Sequence, residues 1–199
     1  MSPAHACCSL AARRALHARL IDAANPGSTD ARLFATLLAA RAGEDAPTTL
    51  DPSLGLSPAR LRALLARHFP RLRPGVVETS PPTAIPTPHA AFVATLRSLL
   101  MREAGAAAHR GDAACLAAII AHACLRPDHL WRDLGLDGRD DVSALLERYF
   151  PALAARNTAA LRWKKFLARE VALDQGAPPA PAPGCFGCED HARCFPPGV

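Results

Sequence analysis

Nineteen prolines cut a chain that would otherwise favour helix almost from end to end. Proline lacks a backbone donor and clashes with the preceding turn, so it belongs in the first turn of a helix or outside helices altogether. Between the prolines, alanine, leucine and arginine dominate, β-branched residues are sparse, and aromatic residues make up only 5% of the chain. Such a composition forms helix wherever proline permits. The expected fold class is all-α, a compact helical bundle followed by a proline-rich arm that carries a C-terminal cysteine cluster.

The breaks predict the elements. Leu10, Leu16, Leu20 and Ile21 can share one face of an opening amphipathic helix, and Asn25-Pro26-Gly27 turns the chain. Ser28, Thr29 or Asp30 can cap a second helix through Leu33, Phe34, Leu37 and Leu38, with Gly43 as its stop. After a loop containing Pro47 and Pro52, Ser57-Pro58 starts a helix with Leu61, Leu64, Leu65 and Phe69 at helical spacing, ended by Pro70. From residue 73 to 89, Pro74, Pro81, Pro82, Pro86 and Pro88 leave an extended connector. Helices then carry Phe92 to Leu100 and Leu116 to Ala123. A last helix is expected from near Asn157, with Trp163, Phe166, Leu167 and Val171 inward and Arg162, Lys164, Lys165 and Arg169 at its polar positions. This gives a helical domain over 1–175 and a linker with a metal-cluster-binding tail over 176–199.

The two halves echo one another. Leu54-Gly55-Leu56 followed by Leu64, Leu65, Phe69 and Pro70 matches Leu134-Gly135-Leu136 followed by Leu145, Leu146, Phe150 and Pro151, with one extra residue in the second copy. Each copy is preceded by a helix rich in small residues, which suggests duplicated helix pairs.

Gly176 to Gly184 reads Gly-Ala-Pro-Pro-Ala-Pro-Ala-Pro-Gly and should be extended, at about 3.1 Å per residue. It could hold the C-terminal segment roughly 25 Å from the helix end. That segment contains the densest chemistry in the chain. Three of seven cysteines and one of eight histidines fall within ten residues, with Cys185, Cys188, His191 and Cys194 each separated by two residues. That spacing suits a metal, either zinc in a Cys3His tetrahedron or an iron–sulfur type cluster. The odd cysteine count and the absence of a secretory signal argue against a disulfide framework. Cys115 reads as a buried helix residue, whereas Cys124, five residues before His129 across Pro127, is a further candidate ligand.

The formal net charge is +5, with the arginines scattered rather than gathered in one block, so no nucleic-acid partner is expected. No apolar run approaches membrane-spanning length, and a soluble protein without a membrane partner is expected. The chain lacks G-x-S-x-G, a phosphate-binding glycine loop and H-E-x-x-H, so enzymatic activity is not expected.

Several stretches together resemble the NifQ family of nitrogen-fixation proteins. They are His129-Leu-Trp131-Arg-Asp133-Leu-Gly135-Leu136, Phe150-Pro151 with Asn157, Arg162-Trp163-Lys164-Lys165-Phe166, and Cys185-x-x-Cys188-x5-Cys194-Phe195, with Leu54 to Pro70 similar as well. The resemblance implies a cytoplasmic molybdenum-trafficking protein that carries a molybdenum–iron–sulfur cluster and supplies molybdenum for nitrogenase iron–molybdenum cofactor synthesis. It implies the cofactor-assembly scaffold and the nitrogenase iron protein as partners. Cys185, Cys188 and Cys194 match the last three cysteines of the family pattern Cys-x4-Cys-x2-Cys-x5-Cys, and the first falls on Ala180. His191, Cys124 and His129 are then candidates for a further ligand, and the basic run Arg162, Trp163, Lys164 and Lys165 for cluster binding or partner docking. A helical interaction protein with a structural Cys3His zinc site is the alternative.

Overall fold

A computed structural model describes residues 3–43, 48–79, 84–85 and 87–196, without the side chains of residues 3–9, 87 and 88. The expectations for Pro47, Pro81, Pro82 and Pro86, and for the Pro88 side chain, lie outside what is described. The fold is all-α apart from two residues of parallel pairing, and it divides into two compact units, Met1–Thr83 and Ala84–Val199.

The first unit contains α1 (Pro3–Ala23), α2 (Thr29–Ala39) and α3 (Pro58–His68). Leu16 and Leu20 of α1 are buried, but Leu10 is half exposed and does not share their environment. Ser28 caps α2, its hydroxyl accepting from the Ala31 N–H at 3.1 Å. The helix ends before Gly43 because the chain peels away to pair: Gly43 N–H donates to Thr49 O at 2.9 Å and Ala42 bridges Leu50. Strand β1 (Thr49–Leu50) then lies parallel to β2 (Glu78–Thr79), with Thr49 opposite Glu78. Ser57 caps α3 and Pro58 occupies its first turn, as the sequence predicts.

The second unit contains α4 (Thr87–Arg102), α5 (Arg110–Ala123), α6 (Leu130–Leu134), α7 (Arg139–Tyr149), α8 (Pro151–Ala155), α9 (Trp163–Asp174) and α10 (His191–Cys194). Helix α5 is its centre, with Ala113 and every residue from Cys115 to Ala123 buried. Helix α4 packs along α5 and also meets α9. The last long helix starts at Trp163, not near Asn157. Asn157 instead closes a turn with both ends of its side-chain amide, accepting from Leu161 N–H at 2.8 Å and donating to Leu161 O at 2.9 Å. Ala160 takes a positive φ of 47° inside that turn.

The duplication is visible in the backbone. In each unit a small-residue helix is followed by a short helical turn that ends on a left-handed glycine, Gly55 (φ 78°) or Gly135 (φ 71°). A longer helix comes next and ends at a phenylalanine in nearly the same conformation, Phe69 (φ −129°, ψ 60°) or Phe150 (φ −135°, ψ 54°). Each phenylalanine is buried and followed by proline. Glycine is needed because left-handed backbone strains any residue with a Cβ.

His122 sits in the buried face of α5 with Nδ1 2.9 Å from Ala118 O. Burial lowers its proton affinity; the Ala118 contact opposes this, while Arg97 and Arg126 act with burial. The folded chain therefore binds this proton less readily than the unfolded chain. The resulting stability is fully present above about pH 6.5 and is lost as the pH falls below it. Urea unfolding should show a lower midpoint at about pH 5.5 than at about pH 7.5, with a smaller difference in His122→Gln.

Candidate metal centre

The floor of the site is the turn between α5 and α6, and a buried lysine holds its shape. Lys164, in the first turn of α9, is only 6% exposed. Its Nζ donates to Arg126 O at 2.7 Å, to Asp128 O, and to Asp133 Oδ2 at 2.5 Å. Arg126 grips Asp133 from the other side, Nε donating to Oδ1 at 3.2 Å and Nη2 to the main-chain oxygen at 2.6 Å. Asp133 is itself buried. A buried charge is tolerated when paired and fully hydrogen-bonded, and here each ion supplies what the other needs. Gly135 closes the turn as the C-cap of α6, with Leu136 N–H reaching Trp131 O at 2.9 Å.

Onto this floor the tail folds, so the cysteines are not held away from the helices. Helix α9 ends at a left-handed Gly176, and Ala177 N–H returns to Ala172 O at 2.8 Å. The proline-rich stretch then leads into a 3-10 turn, Pro183–Gly187. Gly184 N–H donates to Cys124 O at 2.9 Å, at the end of α5. The approach is so close that a Cβ on Gly184 would lie 2.0 Å from Arg126 O, and one on Gly187 would lie 2.5 Å from Pro127 Cβ. Two glycines of the cluster are thus required by packing.

From there the loop winds in tight steps. Cys188 N–H donates to Cys185 O at 3.1 Å, His191 N–H to Cys188 O at 3.0 Å and Cys194 N–H to Asp190 O at 3.1 Å. Charges fasten it: Arg162 pairs with Asp190, His129 Nε2 lies 3.1 Å from Asp190 Oδ2, and Arg132 Nη1 lies 2.8 Å from Glu189 Oε1. The Arg162 guanidinium holds the Asp190 carboxyl below the usual carboxylate range, with His129 and Arg193 acting in the same direction. Lys165 donates to Cys194 O at 2.5 Å and sits 4.9 Å over the Phe195 ring.

Cys185, Cys188 and Cys194 line one cavity of about 270 Å³ together with His129, Asp128 and Asp190. Its remaining wall includes Trp131, Trp163, Arg139, Arg162, Lys164 and Lys165. Cys124 is fully buried; burial pushes its thiol up to about 12, against the pull of Lys164, and neighbouring Cys185 adds to the push. Burial also raises the Cys185 thiol. Both therefore keep their protons at neutral pH until a metal competes for the sulfur.

The cavity thus gathers the three spaced cysteines and His129. His191 is not among its lining residues: its ring stacks between Phe186, centroids 5.5 Å apart, and Phe195, at 5.2 Å, with Nε2 buried and without a hydrogen-bond partner. Ala180 is exposed in the proline-rich stretch and does not line the cavity. Cys115 is buried in α5. In the basic run, Trp163 Nε1 donates to Ser143 Oγ at 3.1 Å, Arg162 pairs with the tail, and Lys164 supports the floor. Sequence reasoning missed Asp128, Asp133, Glu189 and Asp190. Their signal was acids interleaved with the singled-out histidine, tryptophan and cysteines.

Gly184→Ala should undock the tail, so that amides 185–195 lose hydrogen-exchange protection while α4 and α5 keep theirs. Lys164→Met should cost about 3–5 kcal/mol in urea unfolding, because it leaves a buried charged network short of a partner. A cost within about 1 kcal/mol would mean that the lysine is not what holds the floor.

The profile of the family described as NifQ matches residues 33–196. A NifQ homolog from Sinorhizobium fredii is 40% identical over 150 residues, covering 74% of this chain and 62% of that protein. The NifQ protein of Rhodobacter capsulatus is 36% identical over 148 residues, 74% of this chain and 78% of its own length. That of Azotobacter vinelandii is 45% identical over 80 residues, 40% of this chain and 41% of its own. No solved structure is significantly similar to the chain. Since the profile runs from within α2 through the cysteine-bearing tail, the chain belongs to the NifQ family of nitrogen-fixation proteins.

Proposed function

We propose that this protein carries a molybdenum–iron–sulfur cluster and supplies molybdenum for building the iron–molybdenum cofactor of nitrogenase. The observation that carries the reading is the convergence of Cys185, Cys188 and Cys194 on one cavity. Thiolates are the ligands of choice for iron–sulfur clusters. Four cationic side chains on the wall, facing two carboxylates, offset the negative charge of a thiolate-ligated cargo.

Three thiolates suit a cargo that must leave. They can hold three metals of a cuboidal cluster and leave the fourth to a nitrogen, an oxygen or an incoming partner. His129 is the imidazole on the cavity wall. The step required is ligand exchange and not turnover, so the protein acts as a carrier and not as an enzyme. Its partners on this reading are the cofactor-assembly scaffold and the nitrogenase iron protein, in the cytoplasm. Among the described residues no helix is long and apolar enough to cross a membrane. The alternative, a Cys3His zinc site, would draw on His191, which does not line the cavity that the three cysteines share.

Protein purified without oxygen, after expression with molybdate and iron, should contain iron, acid-labile sulfide and molybdenum together. All three should be lost in Cys188→Ala, as read by elemental analysis and EPR. Stoichiometric zinc with no sulfide, even after anaerobic reconstitution, would overturn the carrier reading.

A further inference from the structure

At the edge of the cysteine cavity, whose wall includes Asp128 and His129, three side chains make a donor set of different character. Asp128 and His129 lead into α6, and Glu189 comes directly after Cys188 in the tail; one ligand atom of each lies within 4.8 Å of the others. His129 Nε2 is 3.6 Å from Glu189 Oε1. Ligands each about 2.1 Å from one ion in a tetrahedron lie about 3.4 Å apart, so the set closes with shifts of no more than about 1.4 Å. The Glu189 side chain is 63% exposed and free to make that shift.

The set already holds a cation. Arg132 Nη1 bridges the two carboxylates, 2.8 Å from Glu189 Oε1 and 3.2 Å from Asp128 Oδ1, with its guanidinium 4.9 Å over the Trp131 ring. That side chain is 43% exposed and can swing into water at little cost. The position therefore favours positive charge, and the neighbouring imidazole gives it a preference among cations. A neutral Nε2 offers a lone pair that a metal accepts and a guanidinium does not. His129 also faces Asp190, which keeps its partner Arg162 if the imidazole turns to a metal.

We infer that Asp128, His129 and Glu189 bind one divalent first-row transition ion, separate from the thiolate set, with Arg132 as the internal cation that it displaces. One imidazole and two carboxylates suit Fe²⁺, Mn²⁺ or Zn²⁺, and the nitrogen donor distinguishes the set from the all-oxygen sites of Mg²⁺ and Ca²⁺. The role of the site rests on the carrier reading, in which the ion is ferrous iron waiting beside the thiolates. Its existence does not.

The test is Mn²⁺ titration of the full chain without oxygen, following the EPR signal of the free aquo ion. One Mn²⁺ should bind per chain. Glu189→Gln should weaken binding by at least about tenfold, whereas Arg132→Gln should tighten it several-fold. Both variants break the same ion pair, so a merely structural role moves them in the same direction and a ligand–competitor relation moves them in opposite directions. Cys188→Ser should keep Mn²⁺ binding. Absence of saturable binding, unchanged binding in Glu189→Gln, parallel losses in Glu189→Gln and Arg132→Gln, or loss in Cys188→Ser would each overturn the inference. Failed cluster assembly with Mn²⁺ binding intact would count against the carrier reading alone.

Discussion

The second unit is organised around an ammonium group with almost no access to water. Lys164 can be buried only because Arg126 O, Asp128 O and the Asp133 carboxylate converge on it. Those three acceptors lie in the α5–α6 turn and in α6 just after it, so the lysine fixes the start of α9 against that turn with little tolerance. Arg126 completes the arrangement by holding the second Asp133 oxygen. The surface that the tail meets is made of the same residues: the Arg126 carbonyl that crowds Gly184 is also an acceptor for Lys164. The position of the cysteines therefore depends on an ion pair in the floor beneath them.

Much of the helical architecture was legible because it is local. Proline at Pro58, the cap at Ser28 and the apolar spacing of Leu61, Leu64 and Leu65 act within a few residues of where they stand. The cysteine spacing was legible for the same reason, since short steps between turns bring successive thiols to one side. What the sequence did not display depends on meetings across long separations. Gly184 needs its missing Cβ because of Arg126, 58 positions earlier, and no periodicity reports such a match. The arm was expected to extend because its prolines forbid helix, but they do not forbid docking. His191 shares the cysteine spacing, yet its ring lies between Phe186 and Phe195 and off the cavity wall, a placement that spacing does not report. Asn157 likewise read as part of a helix because its hydrogen-bonding to Leu161 competes with the helical backbone in a way that propensity does not capture.

The two copies show how one plan diverges. Ala40 and Cys124 occupy equivalent places as C-caps of the small-residue helices, with φ/ψ of −61°/−14° and −68°/−12°. In the first copy the chain leaving this cap pairs as a short strand. In the second it forms the acid-rich turn that Lys164 secures. The shared framework, a glycine-terminated turn and a phenylalanine-terminated helix, is common property. The metal-binding candidates lie in that turn of the second copy and in the tail added beyond it.

The proline-rich stretch between α9 and the cysteines gives the tail a second property besides its docked position. Its six residues, 177–182, are stiff enough to act as a spacer of roughly 19 Å at polyproline rise. A tail released from the floor stays on that short leash, confined near its own binding surface at a concentration on the order of millimolar. Because the leash has little conformational freedom to lose, re-docking costs less entropy than it would for a flexible linker of the same length. Opening and closing of the thiol cavity then becomes a local intramolecular equilibrium, independent of protein concentration. A visiting surface would have to compete with the resident floor in order to hold the cysteines away from it.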